Sequence, residues 1–466
     1  MTITWTVRQR LCNPVGMVTY HTSVSLPSPR TGATHRNIFA GVIALLLALI
    51  VVTPQSAGDV ELGNAPELRV NEVKPPWLTC NNNRCGLSFG PPPVPLEGKG
   101  HSGAALSSSG DILDFPAKKV TLLSWMTPEE MNGIATRAND IWGYTSPMGR
   151  EYAIVGLETG TAFVEITDPL NPTLVRLIAG ARSIWRDMSV YGEYAYSVNE
   201  RGDGMQIVDL TRIDKGKVRL RGTVTDLGLQ TTHNIFINED SGYAYLCGSN
   251  LARGGLVVVD LSDPLTPVIE TTPWAVKYVH DVQVVSYEKG RYKGREIAFA
   301  FTEDTGVHII DVTDKANIFT VSNVVYPNAT YSHSGWLSDD RRFLYVNDEL
   351  DELRDDDVSQ ATTYVLKVKD LEKARFVNSF TNGSTAIDHN SMVQNGTLFL
   401  ASYRGGLRAL SIKKNARKPK ERGYFDTYPE NDDIGFSGAW GVYAGFDSGN
   451  VIVSDIQRGL FVLRFP

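Results

Sequence analysis

Four of the six histidines that follow residue 57 stand in similar local contexts. They are His233, His280, His333 and His389, in the segments TTHNIF, YVHDVQV, YSHSGW and IDHNSM, and each opens a short run of strand-forming residues. Imidazole nitrogens are ligands of zinc, copper, iron and manganese in proteins. If the fold brings these positions together, the four histidines predict a site for a divalent transition metal.

Other polar or aromatic residues stand at matching places near the histidines. Arg186 and Trp440 occupy the histidine position in two further segments, and Trp142 is the expected counterpart in another. Acids recur at the ends of the following strands, where several could face the same rim: Glu158, Glu200, Glu303, Asp348, Glu349 and Asp455. The predicted surroundings of the site, as metal neighbours or ligand-binding groups, are Arg186, Asp187, Asp281, Glu303, Asp348, Asp388 and Trp440.

The repeated histidine has a second interpretation. A histidine copied with each repeat can hold neighbouring strands together by hydrogen bonds, without any ligand. The segments in which arginine or tryptophan replaces the histidine favour a one-sided site instead. The sequence leaves both interpretations open.

The positions of the histidines depend on a repeat that occurs seven times. Its core is a short β-branched run, usually led by glycine and followed by an acid and a turn. The instances are GTAFVEITDP from Gly160, GMQIVDLT from Gly204, GLVVVDLSDP from Gly255, GVHIIDVTD from Gly306, TYVLKVKD from Thr363, GLRALSI from Gly406 and GLFVLRF from Gly459. The spacing of about 50 residues, with several strands per unit, is typical of β-propeller blades.

We therefore predict an all-β fold, a seven-bladed β-propeller over residues 116–466. The last repeated strand runs into Pro466, so blade seven needs an outer strand from elsewhere. The strand-like segment from Lys118 to Met126 precedes blade one and is predicted to supply it, which removes an exposed sheet edge. The histidines then begin the inner strands of blades three to six, and we expect them to meet at the mouth of the central channel.

The first 57 residues predict export. Residues 38–52 form an uncharged apolar run of fifteen residues that follows Arg30 and Arg36. This is shorter than the roughly twenty residues of a permanent membrane helix, so a cleaved signal peptide is favoured and an N-terminal membrane anchor is the alternative. The expected location is the periplasm, the extracellular space or the cell surface. Residues 58–115, rich in proline, glycine and serine, are predicted to be a linker.

Two further features of the sequence suggest chemistry. Cys80 and Cys85 are close neighbours and are predicted to form a local disulfide in an oxidising compartment, with two free thiols as the alternative. The acidic run from Asn347 to Asp357 offers carboxylates for calcium, but it lacks the ligand spacing and glycine of a calcium loop. A solvated acidic turn is therefore the competing interpretation of that run.

Composition excludes several classes of protein. With 466 residues, 42% of them hydrophobic, the chain can bury a full core. Its 45 basic and 52 acidic residues are spread along the chain and give a net charge of −7, which argues against a strongly basic face. Binding of nucleic acid is therefore not expected. The sequence contains no HExxH or Walker motif, so metalloprotease chemistry or nucleotide chemistry of those kinds has no direct support.

The motifs of residues 118–466 resemble those of the choice-of-anchor B family, whose members carry LVIVD-type repeats. The matching stretches include NDIWGYTSPMGREYAIVG, WRDMSVYGEYAYSVNE, THNIFINEDSGYAYL, VHDVQVVSYEKGRYKGREIAF and SGNVIVSDIQRGLFVL. The resemblance implies a secreted or surface-tethered propeller, with no established activity to carry over. Family cysteines near the N-terminal strand are replaced around Ala104 and Pro116, so the loop disulfides of relatives are not expected here.

Two functions follow as hypotheses. The first is an exported binding module that holds a metal at the channel mouth and a small ligand or protein partner on its rim, with the apolar run as a membrane tether if it is retained. The second is a metal-dependent enzyme, a hydrolase or an oxidoreductase, that uses the same histidines and an open coordination position. An acid close to the histidines favours the enzyme.

Overall fold

Each of the seven repeated segments becomes the third strand of an antiparallel blade. The computed structural model describes residues 115–355 and 357–466 in full. Of the preceding chain it describes the backbone of five short strands, Thr79–Asn81, Arg84–Gly86, Leu96–Glu97, Ala104–Ser107 and Ile112–Asp114. Valine, leucine and isoleucine dominate the repeated segments, and these residues fit a pleated sheet that is covered on both faces.

The strands of each blade follow one another in the chain from the channel outward. Blade one comprises Ala138–Thr145, Glu151–Leu157, Gly160–Glu165 and Thr173–Ala179. Blade two comprises Arg186–Tyr191, Tyr194–Asn199, Met205–Arg212 and Lys217–Val224. Blade three comprises Asn234–Asn238, Tyr243–Cys247, Val257–Asp260 and Val268–Ile269. Blade four comprises Asp281–Ser286, Glu296–Phe301, Val307–Asp311 and Phe319–Val324. Blade five comprises Ser332–Leu337, Phe343–Asp348, Thr362–Lys367 and Arg375–Thr381.

The last two blades contain strands from both ends of the described chain. Blade six comprises Asn390–Gln394, Thr397–Ala401, Leu407–Ser411 and Lys420–Phe425, with Ala117–Lys118 added at its outer edge, and blade seven comprises Ala439–Tyr443, Asn450–Asp455, Gly459–Arg464 and Thr121–Met126. Among the residues that the structure describes, the helices are single turns, namely Pro128–Met131, Asp351–Arg354 and the 3-10 turns Ile213–Lys215, Asp226–Gly228, Ala252–Gly254 and Leu371–Lys373.

The blades form a closed ring. The first strand of each blade contacts the first strand of the next, and the first strand of blade seven contacts that of blade one. The core lies between adjacent blades. Ile154 of blade one and Val208 of blade two, for example, are both fully buried in one shared cluster. The predicted seven-bladed β-propeller is confirmed.

The predicted closure of blade seven is also confirmed, with a shorter strand than expected. Thr121–Met126 pairs antiparallel with Gly459–Arg464, with Phe461 opposite Trp125. Ala117–Lys118 pairs instead with the outer strand of blade six. The two pieces are separated at Lys119, whose φ of 56° lies in the left-handed region and interrupts the extended backbone.

The glycine that leads the repeated strand has a steric role. In blade four, Gly306 has a φ of +78°, and a Cβ at this position would overlap the carbonyl oxygen of Val324 on the outer strand. At Gly459 of blade seven the carbonyl of Met126, on the closing strand, occupies the equivalent place. The repeat therefore begins with glycine because the neighbouring backbone passes where a side chain would stand.

We expect Gly306→Ala to lower the free energy of unfolding by about 3 kcal/mol, since it combines left-handed strain with a backbone overlap. Gly290→Ala is a matched control, because Gly290 has a φ of +79° with open space around it. It should cost only about 1 kcal/mol. Denaturant unfolding of the two variants measures the difference, and equal losses would contradict the overlap.

Several predictions for the N-terminal part lie outside the described residues. These are the apolar run 38–52, the signal or anchor assigned to residues 1–57 and most of the linker 58–115, whose boundaries remain predictions. Cys80 and Cys85 are register partners in the pair of strands Thr79–Asn81 and Arg84–Gly86, but their side chains are not described. Among the described residues, no helix is both long and apolar enough to cross a membrane.

Candidate functional site

The inner strands of blades three to six bring the four predicted histidines into one continuous row. The ring centroids of His233 and His280 lie 4.2 Å apart, those of His280 and His333 3.9 Å, and those of His333 and His389 4.3 Å. All four side chains are buried. Residues scattered over more than 150 positions thus meet because each one stands at the start of an inner strand in adjacent blades.

Hydrogen bonds fix the orientation of three of these rings. The Nδ1 atom of His280 lies 3.0 Å from the carbonyl oxygen of His333, and that of His389 lies 2.6 Å from the carbonyl oxygen of Trp440. A carbonyl only accepts hydrogen bonds, so each Nδ1 is the protonated nitrogen of a neutral ring. Their Nε2 atoms therefore carry free lone pairs, the arrangement found in histidines that bind metals. The Nδ1 atom of His233 lies 2.6 Å from Glu200 Oε1.

A carboxylate joins this row from the loop after the second strand of blade five. Glu349 Oε2 lies 3.7 Å from His333 Nε2, and Glu349 Oε1 lies 3.8 Å from His389 Nε2. The Tyr403 hydroxyl donates a hydrogen bond of 2.6 Å to Glu349 Oε1. The acid is thereby held against the histidines by a buried phenol.

His280, His333 and Glu349 together form a candidate metal-binding group. One nitrogen of each histidine and one oxygen of Glu349 all lie within 4.8 Å of one another. An ion bound at about 2.1 Å spaces its ligand atoms by up to about 4.2 Å, so small side-chain rotations would complete the contact. The group contains two of the four predicted histidines, while His233 and His389 flank it.

Burial sets the protonation of these groups. Desolvation and the neighbouring imidazoles hold the pKa of His280 and of His333 well below its ordinary value, and desolvation lowers the pKa of His389 to about 3. These three rings are therefore neutral at pH 7, as a metal ligand must be. Desolvation raises the pKa of Glu349 to about 7, against the opposing effect of the hydrogen bond from Tyr403.

A second polar layer lies one residue further along the inner strands. Asp140, Asp187 and Asp281, together with Asn234, Ser334 and Asn390, line a cavity of about 60 Å³ in the channel. Asp187 accepts hydrogen bonds from the backbone amides of Met188 and Ile235, and Asp281 accepts one from Val282. The predicted neighbours Asp187 and Asp281 thus face the channel below the histidines.

The pKa of Asp140 predicts a measurable pH dependence of stability. Burial raises this pKa from 3.8 to about 7, so the folded protein retains the proton over a pH range in which the unfolded chain has lost it. The free energy of unfolding should therefore fall as pH rises from about 4 to about 7. Because Asp140 is only partly buried, we expect the stability gained by Asp140→Asn to be about 2 kcal/mol larger at pH 8 than at pH 4, roughly half of the full linkage.

Denaturant unfolding at the two pH values tests this expectation. Asp433→Asn, at an exposed acid, is the control for a general effect of removing one negative charge. A gain from Asp140→Asn that is the same at pH 4 and at pH 8 would contradict the assignment.

The side chains of three other predicted neighbours form hydrogen bonds with residues outside the histidine row. Asp348 accepts hydrogen bonds from Tyr326 and Thr330, and Asp388 accepts them from Asn347 and Thr363. The Arg186 guanidinium donates to the carbonyl oxygens of Leu157 and Ala181.

Trp440 and Glu303 lie nearer the row. The ring centroid of Trp440 is 5.0 Å from that of His389. Glu303 is joined to Ser332 by backbone hydrogen bonds beside the start of blade five. In blade one, Asp140 lines the channel at the position that corresponds to Asp187 and Asp281. Trp142, the counterpart expected from the sequence, lies two residues further along the same strand.

Sequence reasoning missed the roles of Glu349, Tyr403 and Asp140. Glu349 belongs to the acids that recur at strand ends, but its neighbour Asp348 was preferred as the site residue. Adjacent residues at the end of a strand point their side chains in different directions. Only the three-dimensional structure shows which of the two side chains faces the site. Asp140 could have been found by aligning blade one on the residue after the histidine instead of on the tryptophan. Tyr403 has no distinguishing signal in the sequence.

Comparison with known proteins identifies the repeat. The family model of the LVIVD repeat matches residues 184–212 and 233–272, which lie in blades two and three. The chain is a β-propeller that carries LVIVD repeats. The repeated strand of each matched stretch is the third strand of its blade, and the second stretch begins at His233.

Solved structures with a similar course share little sequence with this propeller. A periplasmic gluconolactonase of Pseudomonas aeruginosa is 12% identical, with 71% of this chain and 100% of that chain covered and a TM-score of 0.48. Hydrazine synthase of Kuenenia stuttgartiensis is 13% identical, with 71% and 96% covered and a TM-score of 0.49. A protein from Lactobacillus plantarum is 13% identical, with 63% and 84% covered and a TM-score of 0.48.

No curated protein sequence matches the chain. The similarities are too low for any activity to be transferred from the solved structures. The functional argument therefore depends on the site itself.

Proposed function

We propose that this LVIVD-repeat propeller is an exported binding module that holds one divalent transition metal ion through His280, His333 and Glu349. The observation that carries the proposal is the convergence of two imidazoles and one carboxylate within 4.8 Å at the end of the channel. Two histidines and a carboxylate are a ligand set of zinc and of non-haem iron sites.

Two features of the surroundings support this proposal over a purely structural row of histidines. The bonds from His280 Nδ1 and His389 Nδ1 to backbone carbonyls leave Nε2 free, whereas a histidine that served only to join strands would gain from using both nitrogens. The Tyr403 hydroxyl also holds the Glu349 carboxylate 3.7 Å from His333 Nε2, which supplies an oxygen ligand beside the imidazoles.

Metal loading of the purified full-length protein tests the proposal. The protein is stripped with a chelator, incubated separately with zinc, iron(II), copper(II) and manganese(II), and freed of unbound ions. Elemental analysis should then find about one equivalent of a bound transition metal, and titration should give a saturable site. Protein that retains none of the four ions would overturn the proposal.

The metal-dependent enzyme remains a second candidate, favoured by one observation. Three protein ligands leave an open coordination position, and the buried hydroxyl of Tyr403 lies 2.6 Å from the Glu349 carboxylate beside it. A phenol in this place can hold or donate a proton at an oxygen atom near the ion. If this is the function, Tyr403→Phe should abolish turnover of a substrate while the metal stoichiometry stays unchanged.

Export and a partner on the rim complete the proposal. Export is supported by the apolar run 38–52 with its preceding arginines. A small ligand or a protein is proposed to dock on the rim above the histidines, and the apolar run is proposed as the tether if it is not cleaved. N-terminal sequencing of the protein recovered from cells decides between cleavage and anchoring, and recovery in the cytoplasm would contradict export.

A further inference from the structure

The turn between the third and outer strands of blade six carries a concentration of positive charge. Residues 413–422, KKNARKPKER, contain six cations and one acid. All six cations are exposed, and they are Lys413, Lys414, Arg417, Lys418, Lys420 and Arg422. The chain as a whole has more acids than bases, so the average over its length conceals this turn.

The positive charge of this turn is not neutralised by its neighbours. Within the part of the chain that the structure describes, none of the six cations forms an ion pair. Glu421, the one acid of the turn, lies 3.7 Å from Arg408 instead. The Arg417 guanidinium donates two hydrogen bonds to the carbonyl oxygen of Val377, which anchors the turn against blade five.

The same turn in three other blades has a negative charge at the residue that closes it. Asp168, Asp263 and Asp314 each accept a hydrogen bond from the backbone amide two residues later. In blade six this place belongs to Asn415, whose Oδ1 accepts from the Arg417 amide at 3.1 Å. The hydrogen bond of the turn is kept while its negative charge is absent, so the fold itself does not require this charge pattern.

The positive surface continues onto the short edge strand beside the turn. Ala117–Lys118 pairs with the outer strand of blade six, with Lys118 opposite Tyr424. The Cβ of Lys119 lies 3.3 Å from the point where a Cβ on Gly423 would stand. Both lysines are exposed. We call the six cations of the turn, together with Lys118 and Lys119, the basic strip.

The basic strip lies at the end of the channel opposite to the histidines. Neighbouring strands alternate in direction, so the turn after the third strand lies where the inner strand ends, whereas the histidines stand where it begins. Asp168, Asp263 and Asp314 lie in the turns of the other blades at the same end as the strip. A flat anionic membrane would repel these aspartates, whereas a thin polymer chain can contact blade six alone.

We propose that the basic strip binds a linear anionic polysaccharide that carries carboxylate or sulfate groups. Lysine and arginine side chains donate charge-assisted hydrogen bonds to such groups, and a row of unpaired cations attracts a polymer of opposite charge. The choice of a polysaccharide rests on the proposed export, because acidic polysaccharides are polymers of the cell exterior. Binding at this end would hold the propeller on a charged matrix and leave the histidine end of the channel accessible.

Binding of dextran sulfate to the purified full-length protein tests the strip. Polygalacturonate is the carboxylated probe and uncharged dextran is the control. We expect saturable binding of both charged polymers, none of uncharged dextran, and an affinity that falls about 10- to 100-fold between about 50 and 200 mM sodium chloride. Failure to bind either charged polymer, or an affinity that does not respond to salt, would overturn the proposal. Because the probe is added to purified protein, this result is independent of the export test.

Two quadruple variants with the same change in net charge assign the binding to blade six. The test variant is Lys414→Gln/Lys418→Gln/Lys420→Gln/Arg422→Gln, and it should weaken binding of dextran sulfate by about tenfold or more. The matched control removes four exposed cations at the outer edge of blade two and is Arg212→Gln/Lys217→Gln/Arg219→Gln/Arg221→Gln. It should retain the wild-type affinity. Equal losses in the two variants would indicate a general effect of net charge and would overturn the proposal.

Two further measurements test the geometry of the strip. Asn415→Asp keeps the hydrogen bond of the turn and restores the negative charge of the other blades, so it should weaken binding of dextran sulfate about threefold. Equimolar vesicles of phosphatidylcholine and phosphatidylglycerol should bind more weakly than dextran sulfate. Tighter binding to these vesicles, lost in the quadruple variant of blade six, would assign the strip to a membrane surface and overturn the proposal.

Discussion

The double variant His280→Ala/His333→Ala should lose stoichiometric transition metal. It removes two of the three atoms that converge on the candidate ion, and we expect the affinity to fall at least ~1000-fold. The remaining carboxylate of Glu349 offers one oxygen ligand, which is too little to retain an ion through buffer exchange. Elemental analysis and zinc titration of the full-length protein measure the loss.

A matched control separates loss of ligands from general damage. His308 is also buried, but it lies in the third strand of blade four, where its Nδ1 is 2.9 Å from the Thr302 hydroxyl and away from the row. His308→Gln should therefore retain one equivalent of metal. Metal that persists in the double variant, with the same affinity as in the wild type, would show that the ion binds elsewhere.

Trp125→Ala should destabilise the propeller more than any of the other stability variants described above. Trp125 is 3% exposed and stacks on Phe461 with ring centroids 5.6 Å apart and an interplanar angle of 7°. Its indole Nε1 donates a hydrogen bond to the carbonyl oxygen of Arg458. Truncating a buried tryptophan leaves a large cavity and an unpaired carbonyl, so we expect a loss of about 3 to 5 kcal/mol in the free energy of unfolding.

Thr121→Ala is the matched control in the same strand. Thr121 is exposed and pairs with Arg464 through its backbone, which the substitution leaves intact. It should change the free energy of unfolding by less than about 0.5 kcal/mol. Removal of the chain before Ser124 should lower the thermal midpoint well below that of a surface deletion. Equal, small effects of both substitutions would mean that the closing strand contributes little to stability.

The overall fold could be predicted from the sequence because every blade has to meet the same packing requirement. A strand buried on both faces must be continuously apolar, and the close carbonyl at Gly306 and Gly459 requires glycine at its start. That pattern marks the third strand, and in blade seven this strand pairs with Thr121–Met126 from the N-terminal side. The exact limits of this partner depended on the backbone turn at Lys119, which the pattern does not encode.

The site was accessible only in part. The histidines were found because they recur in register with the repeat, whereas Glu349 and Asp140 act through side-chain directions that residue types do not specify. Asp348 and Glu349 are adjacent and chemically similar, yet one binds the Tyr326 and Thr330 side chains and the other approaches His333. The transition-metal and export assignments remain predictions that the experiments above decide.

The pairing of Thr121–Met126 with Gly459–Arg464 also has a consequence for the order of folding. The two partners are separated by almost the whole domain, so Thr121–Met126 waits until Gly459–Arg464 has been synthesised. At ribosomal rates of roughly 5 to 20 residues per second, this delay is about 20 to 70 s. Until then the nascent chain has two unpaired ends, and completion of the ring is expected to be the slow, non-local step of folding.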